Sequence, residues 1–528
     1  MRNSKKLLCM LLSLIMVFSV FGIVPFSVSA AEENIVATSV TEGDYEYSIN
    51  YQGKLEISRY TGTSSEVIIP STLGGHKVTS ISGEKNGVFA DHKEITKVVI
   101  PNTVTTIGYD AFRGCTGLRS VTIPNSVINI EREAFSGCIG LASIALPDSL
   151  TAIGSSAFSG CTGLKSITIP DSVTKIGGSA FSGCIGMKSV AIGKGVTSIE
   201  GSAFSSCTGL TSVIIPDSVT TLGMSSFSGC TRLQKATLGK KVRSIGNNAF
   251  SSCKRLSEIN IPATVTELGN SAFSGCESLT SITIPDLVTG INNSTFSNCT
   301  ALTDVKIGKA VTMIGRNAFY GCKGLESIVI GSSVTSLGEG AFSNCTGLKS
   351  VKIPESVTSV GSEAFYNCTE LTRVTIPDSV TSIGYRAIGY GNGWETKIPG
   401  FTICGYEDSE AQWYAEENGF NFVLIDSIAA TLSGSITSYV DDSDITVKLT
   451  GVDNNFTAET KGKGDYSIAN VPAGEYTLTV SKANHVTREY TVTVDNDEVT
   501  QDVNLNPKGD TARQISWTAQ SLSVISES

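Results

Sequence analysis

The chain has 528 residues, more than one hydrophobic core of ordinary size organises, so several domains or an elongated repeat array are expected. It carries 39 basic and 49 acidic side chains, for a formal net charge of −10 at pH 7. Because this balance provides no general electrostatic attraction for nucleic acid or for an anionic membrane surface, we expect neither as a partner.

The first thirty residues are organised like a secretory signal peptide. Three basic residues precede an apolar stretch from Leu7 to Val24, and Val28-Ser29-Ala30 forms a small-residue cleavage site. The alternative, a retained membrane anchor, accounts less well for that cleavage site. We therefore expect residues 1-30 to be removed, the mature chain to have no transmembrane segment, and the protein to be secreted, in solution or associated with the cell surface.

Residues 31-66 are predicted to form an N-terminal cap. The segments Tyr45 to Ile49 and Leu55 to Ile57 alternate apolar and polar side chains, as the two strands of a hairpin do. Val67 to Pro70 then opens the first, irregular unit of a repeat.

The repeat has a period of 23 residues and occupies residues 67-399. Its clearest marker is a cysteine at every period: Cys115, Cys138, Cys161, Cys184, Cys207, Cys230, Cys253, Cys276, Cys299, Cys322, Cys345 and Cys368. A phenylalanine precedes each cysteine by three residues: Phe112, Phe135, Phe158, Phe181, Phe204, Phe227, Phe250, Phe273, Phe296, Phe319, Phe342 and Phe365. The frame extends back to Phe89 and forward to Ile388, which makes fourteen units.

The unit from Cys115 to Cys138 alternates apolar residues only around Val121 and Ile123. This pattern predicts one short strand per coil, with the remainder turning back to place Val127, Ile130 and the Ala-Phe pair inside. One coil cannot bury these side chains, but stacked coils bury them by pairing their strands into a long parallel sheet. Pro or Gly after the strand suits a turn. The predicted fold class is mostly β: a solenoid of 23-residue coils, with short helical or 3-10 turns, followed by a small β-sandwich.

Residues 400-427 are predicted to cap the end of the solenoid. Ser409 can cap a short helix that ends before Gly419, and the apolar residues after the helix, Phe420, Phe422 and Leu424, can cover the last coil.

Residues 428-506 are predicted to form the β-sandwich, because short alternating strands are separated by Gly, Asn and Asp turns. The strands are expected at Ser433 to Ile436, Ile445 to Leu449, Tyr476 to Val480 and Tyr490 to Val494. The polar tail, 507-528, fits neither module. A truncated dockerin remnant is one interpretation, although Thr511 to Gln514 lacks the Asp, Asn and Gly residues of a dockerin calcium loop.

Two sequence motifs resemble those of known protein families. The recurring AFxxCxxLxxVxIP string, over about residues 60 to 425, resembles the BspA-type leucine-rich repeat of secreted and surface proteins of anaerobic bacteria. The string GDYSIANVPAGEYTL, from Gly464 to Leu478, resembles the carboxypeptidase-regulatory-like, transthyretin-like module. The first resemblance implies an adhesin that binds an extracellular protein, and the second implies a non-catalytic spacer or adhesive unit. A structural component of a surface or cellulosome-like assembly is the alternative.

The repeated cysteines are interpreted as buried free thiols. Zinc sites need close pairs such as C-x₂-C, which the sequence lacks, so neither a metal nor another cofactor is expected. Equivalent cysteines of stacked coils point inward in parallel, which disfavours disulfide geometry, and their S–H groups can donate to coil carbonyls. Since secretion ordinarily favours disulfides, free thiols imply an anaerobic setting.

The sequence favours a protein that is not an enzyme. Its three histidines, His76, His92 and His485, are dispersed over different parts of the chain, and no Walker, GxSxG or HExxH string occurs. An enzyme of unknown type is the residual alternative, because a catalytic carboxylate pair is not recognisable from sequence alone.

The functional surface is predicted to be the outward row of the strands. Its first ladder is Ser120, Ser143, Ser166, Ser189, Ser212, Lys235, Glu258, Ser281, Asp304, Ser327, Ser350 and Arg373. Its second ladder is Thr122, Ala145, Thr168, Ala191, Ile214, Thr237, Asn260, Thr283, Lys306, Val329, Lys352 and Thr375. Neither ladder has an aromatic ring on which a sugar would stack, which disfavours a carbohydrate platform.

The two ladders change character over four consecutive coils. There Lys235, Glu258, Asn260, Asp304 and Lys306 replace the small hydroxylated residues. One interpretation is drift on a solvated sheet face, and the other is a recognition patch. We expect such a patch to contact an extracellular protein or a cell-surface partner, whose identity the sequence does not reveal, and the protein to act as a monomer.

Overall fold

The computed structural model describes residues 39–49, 53–83, 87–391, 393, 396–425, 430–438, 445–451, 455–459, 465–471, 474–482, 485–494, 499–501 and 503–505. The predicted signal peptide, 1-30, and the polar tail, 507-528, lie outside the described residues. The repeat segment is a solenoid of stacked coils, as predicted.

A typical coil contains two short strands, so the prediction of one strand per coil is wrong. The first-row strands have three residues: Glu66–Ile68, Lys97–Val99, Ser120–Thr122, Ser166–Thr168, Ser189–Ala191, Ser212–Ile214, Lys235–Thr237, Glu258–Asn260, Ser281–Thr283, Asp304–Lys306, Ser327–Val329, Ser350–Lys352 and Arg373–Thr375. The second-row strands have two residues: Thr106–Ile107, Asn129–Ile130, Ala152–Ile153, Lys175–Ile176, Ser198–Ile199, Thr221–Leu222, Ser244–Ile245, Glu267–Leu268, Gly290–Ile291, Met313–Ile314, Ser336–Leu337, Ser359–Val360 and Ser382–Ile383.

Strands pair in parallel with the equivalent strand one coil away, as Ser166 does with Ser189. The long sheet is built from the second row, which the sequence did not predict. One sheet comprises thirteen strands, namely the eight second-row strands up to Glu267–Leu268 and five strands of the N-terminal segment. A second sheet of five strands runs from Gly290–Ile291 onward. At the interruption, the Asn292 side chain donates from Nδ2 to the Leu268 carbonyl at 2.6 Å. The first row is divided into sheets of two or three strands.

The core is a column of stacked phenylalanine rings from Phe89 to Phe365. Neighbouring ring centroids lie 5.0 to 5.6 Å apart, with planes within 13° of parallel. Each ring is fully buried, as are Val127 and Ala134 beside it in a representative coil. Each coil thus adds one ring to a continuous spine, and most stabilising contacts are made between neighbouring coils.

The cysteine thiols hydrogen-bond to phenylalanine carbonyls of an adjacent coil. Cys138 Sγ donates to the Phe112 carbonyl at 3.1 Å, and the arrangement recurs up to Cys368, whose thiol donates to Phe342 at 3.3 Å. All twelve are free thiols. Burial raises the pKa of these thiols, to about 12 for Cys184, so they remain protonated donors at neutral pH. This geometry agrees with their interpretation as buried free thiols.

The segment between the second-row strand and the cysteine is a series of turns. The Cys115 N–H donates to the Phe112 carbonyl three residues earlier, at 3.2 Å, whereas the Phe112 N–H donates to Ala134 of the next coil, at 2.7 Å. Left-handed residues, Asp110 with φ 54° and Gly114 with φ 70°, permit this alternation. Because every second N–H bonds to another coil, the expected helical turns do not propagate into a helix.

Both ends of the solenoid are capped. The N-terminal cap contains strands Val40–Glu42, Tyr45–Ile49 and Leu55–Tyr60. Strands Thr72–Leu73 and His76–Ile81 follow at the start of the predicted repeat segment. As predicted, Tyr45–Ile49 pairs with Leu55–Tyr60 as an antiparallel hairpin. The C-terminal cap contains strands Thr402–Gly405 and Asn421–Leu424 and the helix Glu410–Asn418. The helix has the predicted ends, because Ser409 accepts a hydrogen bond from the Gln412 N–H and Gly419 is left-handed.

The C-terminal module contains strands Ala430–Ser438, Thr446–Thr450, Asn455–Glu459, Asp465–Val471, Gly474–Ser481, Arg488–Val494, Val499–Thr500 and Val503–Leu505. They form two four-stranded sheets around a separate apolar core that includes Leu432, Val447 and Leu478. The predicted small β-sandwich is therefore confirmed, with four more strands than the sequence suggested. Among the helices of the described residues, none has the length and apolar character needed to cross a membrane.

Candidate binding face of the solenoid

The first-row strands present an exposed surface, which we call the binding face. Residues 143–145 belong to it, although their coil forms no first-row strand. In Ser166–Thr168 the central Ile167 is buried and both flanking side chains are exposed. The other first-row strands also turn the central side chain inward, but in four of them it is half-buried rather than buried. The binding face therefore consists of the two ladders expected from the sequence, Ser120 to Arg373 and Thr122 to Thr375. Equivalent side chains stand about 4.8 Å apart along each ladder.

Many Ser and Thr hydroxyl groups elsewhere on the coils donate hydrogen bonds to carbonyls of neighbouring coils. In the row from Thr105 to Thr381, hydroxyls donate to the carbonyl of the equivalent residue one coil earlier, as Thr151 does to Ile128 at 3.1 Å. In the row that begins at Ser126, the hydroxyl donates to Val104 at 2.6 Å, and the pattern recurs in later coils. These rows stabilise the stacking of coils.

The hydroxyls of the binding face differ from those rows. In the part of the chain that the structure describes, the Ser and Thr hydroxyls of the two ladders, such as those of Ser143, Ser166 and Thr168, have no hydrogen-bond partner within the protein. Their donors and acceptors are therefore directed to solvent or to a ligand. Sequence alone does not separate the two kinds of hydroxyl row.

The five residues of the predicted patch lie on the binding face in two groups, which are separated by the strand Ser281–Thr283. Lys235 is in register with Glu258, and their side chains form an ion pair. Asn260 lies opposite Thr237, Asp304 opposite Ser281 and Lys306 opposite Thr283. Together with Ser281 and Thr283, the patch residues extend over four consecutive coils.

Electrostatically, the patch is less charged than its composition suggests. Lys235 and Glu258 neutralise each other, whereas Asp304 and Lys306 make no ion pair with another described residue. An exposed pair such as Lys235 with Glu258 contributes at most about 1 kcal/mol to stability. The charges that remain available to a partner are those of Asp304 and Lys306.

Two exposed apolar residues of the second ladder flank the patch, and the sequence analysis did not single them out. Ile214 is 69% exposed and Val329 is 67% exposed. Single exposed aliphatic residues are common on protein surfaces, but at the edges of a polar patch they can contribute apolar contact area. Their sequence signal is the replacement of Thr or Ala in the ladder by a larger aliphatic residue.

A catalytic or metal centre would require a cleft or a group of metal-binding side chains. The described residues contain no group of three or more His, Cys, Asp or Glu side chains placed to hold a metal ion. Of two shallow clefts, one of about 370 Å³ is lined by Glu407, Gln412 and the strand residues Phe422 to Leu424. The other, of about 340 Å³, lies beside Glu475 and Tyr476 in the C-terminal module. Each of these clefts has a single carboxylate in its lining.

The stacked parallel coils with a phenylalanine spine define a leucine-rich-repeat solenoid. The chain matches the family model of the BspA type leucine rich repeat region, in six copies, over residues 85–211, 151–280, 197–326 and 267–393. These overlapping matches span more than half of the chain, so the protein belongs to the BspA-type leucine-rich-repeat family. Residues 431–506 match the carboxypeptidase regulatory-like domain. No curated protein matches the chain.

Solved structures of bacterial leucine-rich-repeat proteins are similar to this chain. A leucine-rich repeat protein from Bacteroides ovatus is 29% identical, with a TM-score of 0.58, over 73% of this chain and 99% of that one. A leucine rich cell surface protein from Faecalibacterium prausnitzii is 30% identical, with a TM-score of 0.45, over 71% of this chain and 97% of that one. The pneumococcal vaccine antigen PcpA is 16% identical, with a TM-score of 0.45, over 74% and 99%.

Proposed function

We propose that this protein is a non-catalytic extracellular binding protein, secreted or associated with the cell surface, that recognises a protein partner through the binding face as a monomer. The observation that carries this proposal is that the Ser and Thr hydroxyls of the binding face have no hydrogen-bond partner among the described residues, whereas the hydroxyls of other rows donate to neighbouring coils. Membership of a family typical of bacterial surface and secreted proteins supports the location.

A protein partner is favoured over a polysaccharide by the chemistry of the binding face. The two ladders offer small hydroxyls, a few charges and the exposed side chains of Ile214 and Val329, without an aromatic ring for sugar stacking. We infer that the flat hydroxylated coils accommodate a broad partner surface, and that Asp304 and Lys306 of the patch contribute charge complementarity.

The test is a pull-down by the purified mature protein from host matrix proteins, polysaccharides and cell-wall fractions, followed by affinity measurement with the captured partner. The patch variant carries Lys235→Glu and Lys306→Glu. We expect weaker capture, mainly through slower association that depends on salt, and a melting temperature within a few degrees of the parent.

Two control variants separate the possible results. Ser143→Glu with Ser166→Glu lies on the same face but outside the patch. Lys93→Glu with Lys323→Glu makes the same charge change at exposed turn positions away from the face. Equal loss in the first control would assign binding to the whole face rather than the patch. An equal loss of partner capture in the second control would show that the effect comes from the net charge of the protein rather than from the patch. Partner capture that no face substitution alters would contradict the proposed function and favour a structural role in a surface or cellulosome-like assembly.

A further inference from the structure

One coil of this acidic protein is strongly basic. The coil formed by residues 230–252, which we call the basic coil, has five basic residues and no acidic one: Arg232, Lys235, Lys240, Lys241 and Arg243. The coil before it has Asp217 as its single charged residue, and the coil after it balances two basic residues against two acidic ones. The positive charge is therefore confined to a band one coil thick, about 4.8 Å along the solenoid.

Most of this charge is not neutralised by carboxylates in the part of the protein that the structure describes. Lys235 is paired with Glu258, but Lys240, Lys241 and Arg243 are exposed and form no ion pair with a described carboxylate. These three residues lie in the turn between strands Lys235–Thr237 and Ser244–Ile245, at the edge of the binding face. Three cations within four residues of a rigid turn produce a local positive field.

Folding does not account for Lys241 and Arg243. In the preceding coil, Ser218 occupies the position of Lys241 and donates to the Val196 carbonyl at 2.6 Å. The position of Arg243 carries Thr in eleven of the thirteen coils from Thr105 to Thr381, and such a Thr donates across the coils, as Thr197 does to Thr174 at 3.1 Å. The basic coil thus lacks two hydroxyl donors that stabilise other coils. Residues that forgo a stabilising contact are typical of functional sites.

We propose that Lys240, Lys241 and Arg243 dock an extended, carboxylate-rich segment of the protein partner. The inference rests on the proposed function and names the chemistry of one part of the partner. Charge complementarity selects an acidic ligand. The narrow band, bordered by Asp217 and Glu267 on the neighbouring coils, fits a single chain rather than a broad acidic surface. The adjoining binding face, without aromatic rings, favours a polypeptide over an acidic polysaccharide.

The experiment measures binding of labelled poly-L-glutamate to the full-length mature protein by fluorescence anisotropy, at low and at physiological salt. The test variant, Lys241→Ser with Arg243→Thr, restores the side chains that other coils carry. We expect its affinity to fall by about tenfold, since each exposed charge contact contributes a factor of roughly two to five. Its melting temperature should equal or exceed that of the parent, because both new hydroxyls can donate to the preceding coil.

A matched control carries Lys165→Thr and Lys188→Thr, which makes the same change in net charge at exposed positions where other coils have Thr. The control should bind poly-L-glutamate within about twofold of the parent, because added salt and water screen distant charges. If the double variant is unstable, Lys240→Ser alone tests the same turn, since Ser332 occupies this position in another coil.

Three outcomes would overturn the proposal: no binding by the parent at low salt, equal loss in the matched control, or tighter binding of polygalacturonate than of poly-L-glutamate. The last result would identify an acidic polysaccharide as the ligand. These outcomes are distinct from failure of the proposed function. If partner capture depends on the binding face but not on Lys241 and Arg243, the proposed docking of an acidic segment is wrong, whereas the proposed recognition of a protein still holds.

Discussion

Replacing Phe204 with alanine tests whether the phenylalanine spine stabilises the solenoid coil by coil. Phe204 is fully buried, and its ring stacks on Phe181 and on Phe227 with centroid separations of 5.2 Å on both sides. The substitution opens a gap in the middle of the column. Because the two neighbouring coils are held in register by their backbones, we expect the cavity to close only partly.

The expected loss in the free energy of unfolding follows from the buried area of the ring and from its stacking contacts. Removing the ring withdraws about 100 Å² of buried apolar surface, which at about 25 cal/mol per Å² corresponds to about 2.5 kcal/mol. The two lost ring pairs add about 0.5–1 kcal/mol each. The expected loss in the free energy of unfolding is therefore about 4 kcal/mol, within the range of about 3–5 kcal/mol typical of buried Phe→Ala changes.

Urea denaturation followed by circular dichroism measures the loss, and hydrogen exchange locates it. Exchange should increase in the coils around residues 181–227 and change little near Phe365, because contacts in a solenoid are made between neighbours. Phe204→Leu, which retains apolar volume without the ring, should cost less. Unchanged unfolding of Phe204→Ala would refute the inward placement of the phenylalanines, and a uniform increase in exchange along the array would refute the coil-by-coil account.

Further predictions concern the other buried side chains. Ser226 has a buried hydroxyl without a hydrogen-bond partner among the described residues, at a position where most coils have Ala. Ser226→Ala should therefore raise the free energy of unfolding by about 1–2 kcal/mol in urea titrations. A less stable variant would show that the hydroxyl is satisfied. The cysteines of the column should react with a thiol reagent only after unfolding, without prior reduction, and protection that persists in denaturant would indicate disulfides. Burial raises the thiol pKa from 9.0 to about 12 at Cys184, so unfolded thiols ionise first. The free energy of unfolding should therefore fall as the pH rises above about 9, because the unfolded chain gains thiolate charge before the folded chain does. Circular dichroism against pH checks this, and a flat profile would contradict it.

The repeat period by itself determined the class of fold and the identity of the interior. An apolar side chain that recurs every 23 residues, such as Phe135 after Phe112, has to occupy the same place in each coil, and stacked equivalent places form a column. The same reasoning located the outward ladders, since Ser120 and Thr122 flank a buried Val121. Even the ion pair of Lys235 with Glu258 follows from the period, because the two residues are 23 positions apart.

Only the tertiary structure revealed the second row of strands and the different roles of the hydroxyl rows. A strand such as Asn129–Ile130 has two residues and one fully buried side chain, so it has no alternation for a sequence pattern to display. Thr151 and Thr168 are chemically identical, but the first donates to a neighbouring coil, whereas the second faces outward and has no hydrogen-bond partner among the described residues. That difference depends on where a carbonyl of the adjacent coil lies, which is set by stacking in three dimensions rather than by the residue type.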